Sequence, residues 1–140
     1  MINKLRMQKY SLLLVVFFFT ASAISCRKTD DTKPFFEIIS PSDADMLLLT
    51  DTIFFQAAFH DNEELSQFRI EIKNNFVENP DSLPAWKLIF VNTLTGKNET
   101  LQEQIVIPDT VFSGAYYFIV KCTDFNGNET AADTTELLIQ

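Results

Sequence analysis

The stretch that most restricts the fold is Gly114–Thr130, where a two-residue alternation runs straight into turn chemistry. Tyr116, Phe118, Val120 and Cys122 fall on one face of an extended segment, and Tyr117, Ile119, Lys121 and Thr123 on the other. Asp124-Phe125-Asn126-Gly127-Asn128 follows, supplying side chains that cap their own backbone and a glycine free to take positive φ. Leu137 and Ile139 then resume the alternation. Residues 114–140 therefore read as a central strand, a tight turn and a closing strand, the last hairpin of a β-sandwich.

The rest of the chain repeats that grammar. Phe35–Ile39 is a first strand, stopped by Ser40-Pro41-Ser42-Asp43, and Met46–Leu49 is an apolar run suited to a short edge segment. Thr52–His60 alternates with Ile53, Phe55, Ala57 and Phe59 inward, and Phe54, Gln56, Ala58 and His60 outward. Asp61–Glu64 is a turn, and Leu65 plugs the end of the core. Phe68, Ile70 and Ile72 alternate with Arg69, Glu71 and Lys73. Asn74–Pro84 is a loop, Trp86–Val91 a strand, Asn92–Asn98 a turn, and Leu101–Ile107 a strand ended by Pro108. The expectation is an all-β domain of about seven antiparallel strands at sandwich spacing, with no helical period and no internal repeat.

The N-terminus carries an address. Lys4, Arg6 and Lys9 precede the apolar run Ser11–Thr20, and small residues lead to Cys26. Such a run is short for a membrane-spanning helix and suits a signal peptide. Ala23-Ile24-Ser25-Cys26 resembles the lipobox of bacterial lipoproteins, which implies cleavage after residue 25 and acylation of Cys26; several acyl chains anchor stably where one is marginal. Arg27–Pro34 is polar and reads as a tether, and its Asp30-Asp31 pair resembles the acidic export signal of Bacteroidetes surface lipoproteins. The expected division is residues 1–25 as signal, 26–34 as lipidated tether and 35–140 as the sandwich. The expected location is the outer membrane, at the cell surface or else on the periplasmic side.

Removing three cations takes the net charge from −8 to about −11, with 8 Lys and Arg against 19 Asp and Glu. A surface so acidic repels phosphate backbones, so no nucleic-acid partner is expected. With Cys26 lipidated, Cys122 is the remaining thiol and no internal disulfide is possible. Cys122 reads as a small buried hydrophobe, and the 14 Phe must hold the core.

Tyr116, two residues after Gly114, stands where immunoglobulin-like domains place their tyrosine corner, although their cysteine pair and intervening Trp are absent. Ile38–Pro41, then Asp61, then Gly114–Asn128 resemble the pattern of bacterial immunoglobulin-like, cadherin- or fibronectin-like modules in short Bacteroidetes lipoproteins. That resemblance implies a single immunoglobulin-like β-sandwich of unassigned function.

Catalytic patterns are missing. His60 is the only His, and the chain has three Gly, no Gly-x-Ser-x-Gly and no Cys/His couple with an orienting group, so no enzyme is expected. The carboxylates leave one cofactor open, a hard metal ion. In an immunoglobulin-like sandwich the turn after the second strand and the last hairpin turn share an end. Asp61, Glu63, Asp124 and Asn126 could there supply oxygen ligands to Ca²⁺, or else serve only as turn caps and solvated charges. Asp51-Thr52-Ile53, Asp81-Ser82-Leu83, Asp109-Thr110-Val111 and Asp133-Thr134-Thr135 resemble the Bacteroidetes O-glycosylation acceptor, which makes Thr52, Ser82, Thr110 and Thr134 candidates; Asp-Thr is also ordinary strand-entry chemistry. Outward Tyr117, Phe54 and Trp86 offer a stacking platform or a covered face. The function expected is a lipid-anchored, extracytoplasmic binding or assembly module for a glycan or protein. The alternative is a structural spacer or periplasm-facing envelope subunit without a ligand.

Overall fold

The computed structural model describes residues 30–77 and 83–140. The signal, Cys26 and Ser82 lie outside the described residues. Two compact units divide at Asp30, and the second, Asp31–Gln140, is the sandwich.

Eight strands form in chain order: β1 (Phe35–Ser40), β2 (Asp45–Leu47), β3 (Thr52–His60), β4 (Leu65–Asn74), β5 (Leu88–Thr93), β6 (Asn98–Val106), β7 (Gly114–Asp124) and β8 (Asp133–Ile139). They build a three-stranded sheet ordered β1-β3-β6 and a five-stranded sheet ordered β2-β8-β7-β4-β5. Every pairing is antiparallel except β2 with β8, which run parallel. The parallel pair arises because the chain leaves the small sheet at Ser40-Pro41 and crosses to the edge of the large one. A proline has no N–H to continue the first ladder, so the crossing falls where that ladder must stop.

The two inner faces follow the alternation in the sequence. Ile53, Phe55, Ala57 and Phe59 of β3 are buried against Phe68, Ile70 and Ile72 of β4 and Phe118, Val120 and Cys122 of β7. Phe55 lies 5.8 Å from Phe68 and 5.6 Å from Phe118, and Phe59 5.4 Å from Phe68, centroid to centroid. These offset and tilted rings add to the roughly 2–3 kcal/mol that burying each Phe contributes. Cys122 is a free thiol inside this layer, and no disulfide helps hold the sheets together among the described residues. The aromatic core does that work.

Several residues depart from the alternation-based reading. Trp86 does not belong to β5, which begins at Leu88; it is buried in the preceding segment, edge-on to Tyr116 at 6.3 Å. Leu94, read as part of a turn, is buried between the sheets, as are Ile107 and Val111 beyond the end of β6. The connection from β7 to β8 is also longer than a tight hairpin. Ladder pairing resumes only at Val120 with Asp133, after a turn held by a bridge between Thr123 and Glu129.

Tyr116 forms the expected corner. Its hydroxyl donates to the Phe112 carbonyl at 2.6 Å and accepts the Trp86 N–H at 3.2 Å. One buried phenol thereby ties β7 to the segment before β5 and to the β6–β7 connection, and the bond to Phe112 matches the hallmark of immunoglobulin-like sandwiches.

Candidate functional site

Three turns meet at one end of the sandwich. The Asp61 N–H donates to the Lys97 carbonyl, Leu65 N–H to Gly96, and Phe125 N–H to Glu64, each at 2.8 Å. Asp61 and Asp124 are thereby brought side by side, with carboxylate oxygens within 4.8 Å of each other. Asp61 Oδ2 accepts the N–H groups of Glu63 and Glu64 at 2.7 and 2.8 Å. Asp124 Oδ1 accepts the Asn128 N–H and its Oδ2 the Asn128 side-chain amide, both at 2.7 Å. Glu63 and Asn126 take a different position. Both are exposed at the rim, where the Asn126 amide donates to Glu63 Oε2 at 3.4 Å.

The same end sets the chemistry of Cys122. Burial pushes its thiol up to about 12, helped by the negative charges of Asp61 and Asp124. A thiol so protonated is a poor nucleophile.

A second surface is the outer face of the small sheet. Its outward rows, set by the register, carry Phe35, Glu37 and Ser40 on β1, with Ile39 at a bulge. Phe54 sits opposite Gln104, and Gln56 opposite Gln102. Phe35 and Phe54 are 65 % and 63 % exposed. Phe35 stacks on the His60 ring at 4.8 Å, and His60 Nδ1 is 2.7 Å from Asn98 Oδ1. A groove of about 340 Å³ opens beside Phe54, lined also by Ser40, Phe55, Gln56, Gln102, Glu103 and Gln104. Glu37 is the one charged residue among these outward positions, although 21 % of the chain is charged. Glu103 points the other way, and accepts from the Asn92 amide of β5 at 2.9 Å.

The aromatic platform suggested by the sequence does not assemble as a unit. Phe54 lies on the small sheet, Tyr117 is half-buried on the large one, and Trp86 is 6 % exposed. Phe35 takes their place beside His60. Its signal was present in the sequence as the outward partner of Phe36, but only the register of β1 against β3 puts it on the face that carries Phe54. Of the hydroxyl candidates, Thr52 opens β3 and is half-buried, Thr110 is exposed in the β6–β7 connection, and Thr134 is exposed near the start of β8.

A family model described as "Domain of unknown function (DUF4625)" matches residues 22–139. No curated protein matches the sequence. Among solved structures, catalytically inactive OgpA from Akkermansia muciniphila, in complex with an O-glycopeptide substrate, is similar at 13 % identity and a TM-score of 0.54. The match covers 80 % of this chain and 30 % of OgpA, so the chain spans about a third of that protein's length. The fibronectin(III)-like modules of Clostridium thermocellum CbhA are similar at 16 % identity and a TM-score of 0.44, over 75 % of this chain and 94 % of theirs. At these identities the OgpA likeness concerns the fold alone.

Proposed function

Because this chain belongs to the DUF4625 family, a domain of unknown function, its role has to be read from its own surfaces, and we propose that it is a lipid-anchored, extracytoplasmic module that binds a neutral glycan on the outer face of β1-β3-β6. One observation carries this reading: a strongly acidic protein keeps one face nearly free of charge and furnishes it with exposed Phe rings and glutamine amides. Val106, 62 % exposed and two residues from Gln104 on β6, adds apolar surface beside Phe54, and grouped apolar surface rimmed by polar residues marks a binding site. The apolar face of a sugar ring stacks on Phe54, while its hydroxyls exchange hydrogen bonds with Gln56, Gln102 and Gln104, each amide offering both donor and acceptor. Neutral ligands need no counter-charge, and the net negative charge of the chain disfavours acidic ones.

The anchor is supported by the lipobox-like Ala23–Cys26 and the apolar run before it. Acylation at Cys26 leaves a short polar tether before β1, so the face is presented close to an outer-membrane surface.

The test uses the full chain in detergent, assayed against a panel of neutral polysaccharides by affinity electrophoresis. The parent should be retarded by at least one of them. Phe54→Ala or Gln104→Ala, both outward and outside the core, should weaken that retardation at least about tenfold, a loss of about 1.4 kcal/mol. Retardation by none, or retardation untouched by both substitutions, rejects the glycan reading. Capture of a protein partner that competes with no glycan would redirect the face to protein binding, and no ligand of either kind would leave a spacer.

A further inference from the structure

The end of the sandwich where the turns after β3, β5 and β7 meet presents a problem of charge. Asp124 is 2 % exposed and Asp61 9 % exposed, and their carboxylate oxygens approach within 4.8 Å. Neither carries an ammonium or guanidinium partner among the described residues. Lys97, whose turn closes the same end, has its ammonium bonded to the Asn62 carbonyl at 2.6 Å. Two like charges so close in a dry setting are unfavourable, because burial weakens the solvation that would screen them.

The turn chemistry accounts for only part of what these carboxylates present. Asp61 needs one oxygen, Oδ2, to cap the two N–H groups of Glu63 and Glu64. Its other oxygen, Oδ1, is sealed from solvent and accepts no hydrogen bond. A buried acceptor left without a donor is costly, and such atoms are uncommon in folded proteins. A turn cap alone would be served as well by the amide oxygen of Asn, with no charge.

We propose that Asp61 and Asp124 form a divalent-cation site that takes Ca²⁺, and that the unpartnered Oδ1 of Asp61 is one of its ligands. The distance suits the ion. Two oxygens no more than 4.8 Å apart can both lie about 2.4 Å from a single ion, the ordinary length of a Ca–O contact. The donors are hard oxygens, and Asp124 keeps lone pairs on both oxygens beyond the hydrogen bonds it accepts from Asn128. Calcium tolerates six to eight oxygens in flexible arrangement, so water and backbone carbonyls complete its shell; Mg²⁺ demands a tighter octahedron. The ion neutralises the pair and cross-links the turn after β3 to the turn after β7. Glu63 and Asn126, at the rim, are not needed for it.

Calcium titration with thermal and urea unfolding of the full chain in detergent tests the site, beginning from chelator-treated protein. At about 100 times its dissociation constant, Ca²⁺ should raise the folded-to-unfolded ratio of the parent about 100-fold. Extracellular modules bind Ca²⁺ at about 0.1–1 mM, so that ratio should be reached between about 10 and 100 mM Ca²⁺. Asp61→Asn retains an oxygen for the Glu63 and Glu64 N–H groups, and should lose the calcium response while being at least as stable as the parent in chelator. That second readout separates a cation site from a structural cap, since a cap that needed its charge would leave Asp61→Asn weaker in chelator. Asp124→Asn should lose the response too, and calorimetric titration of the parent gives the binding directly if either variant fails to fold. A parent indifferent to Ca²⁺ in both unfolding and calorimetry, a response retained by both variants, or a larger response to Mg²⁺ than to Ca²⁺ would each overturn the assignment.

Discussion

Replacing Tyr116 by Phe removes one oxygen from the interior and nothing else, which makes the corner hydroxyl a clean probe of what fastens the two sheets. The ring is fully buried and would stay in place against Phe76 and Trp86. Among the described residues the hydroxyl gives up its donation to Phe112 and its acceptance from the Trp86 N–H. They are not equivalent. Phe112 is partly exposed, so water can reach its carbonyl and the loss there is the usual net value of about 1 kcal/mol. The Trp86 N–H lies in a buried setting and would be stranded, at about 1–2 kcal/mol. The sum is about 2–3 kcal/mol. For a domain of about 110 residues, an unfolding entropy of about 0.23 kcal/mol/K turns that into a fall in Tm of about 10 °C. Urea unfolding should show the midpoint moving with an unchanged slope, because the surface exposed on unfolding is the same. Tyr117→Phe, on the outer side of the same strand, is the control and should stay within about 0.5 kcal/mol of the parent. A loss below about 0.5 kcal/mol for Tyr116→Phe would refute the reasoning, since it would mean that water replaces the hydroxyl at both partners.

Two further perturbations address the same core. Gly114 is closed off by Phe76, whose Cε1 would lie 2.9 Å from an added Cβ, and that ring is itself wedged against Phe112 and Tyr116. Gly114→Ala should therefore cost about 1–3 kcal/mol in urea unfolding, and Phe76→Leu in the same chain should recover part of it. Cys122, fully buried and with its thiol pushed up to about 12, should resist iodoacetamide at pH 8.5 in chelator and react only as fast as the domain opens. Rapid native-state alkylation would contradict its place in the core.

Both the Tyr116 and the Cys122 expectations were legible before the structure, and for the same reason. Alternation is a local property: once a segment is extended, the identity of residues two apart decides which share a face. That is why the inward sets of β3, β4 and β7, and Leu137 with Ile139, stand in the structure as the sequence orders them. Residues outside a period gave no such signal. Trp86, Leu94, Ile107 and Val111 are core residues in connecting segments, and their burial depends on which gap between sheets each loop happens to cover.

The sequence by itself determined an all-β chain, the inner face of its principal strands and the tyrosine corner, because each rests on near neighbours. The tertiary structure alone decided the eighth strand's parallel pairing, the neutral face that gathers Phe35 with Phe54, and which oxygens at the Asp61–Asp124 end are left without a donor. Topology told which turns would meet, but not how each carboxylate would spend its two oxygens. That outcome belongs to contacts between residues more than sixty positions apart, whose geometry is fixed only when the two sheets close on their aromatic core.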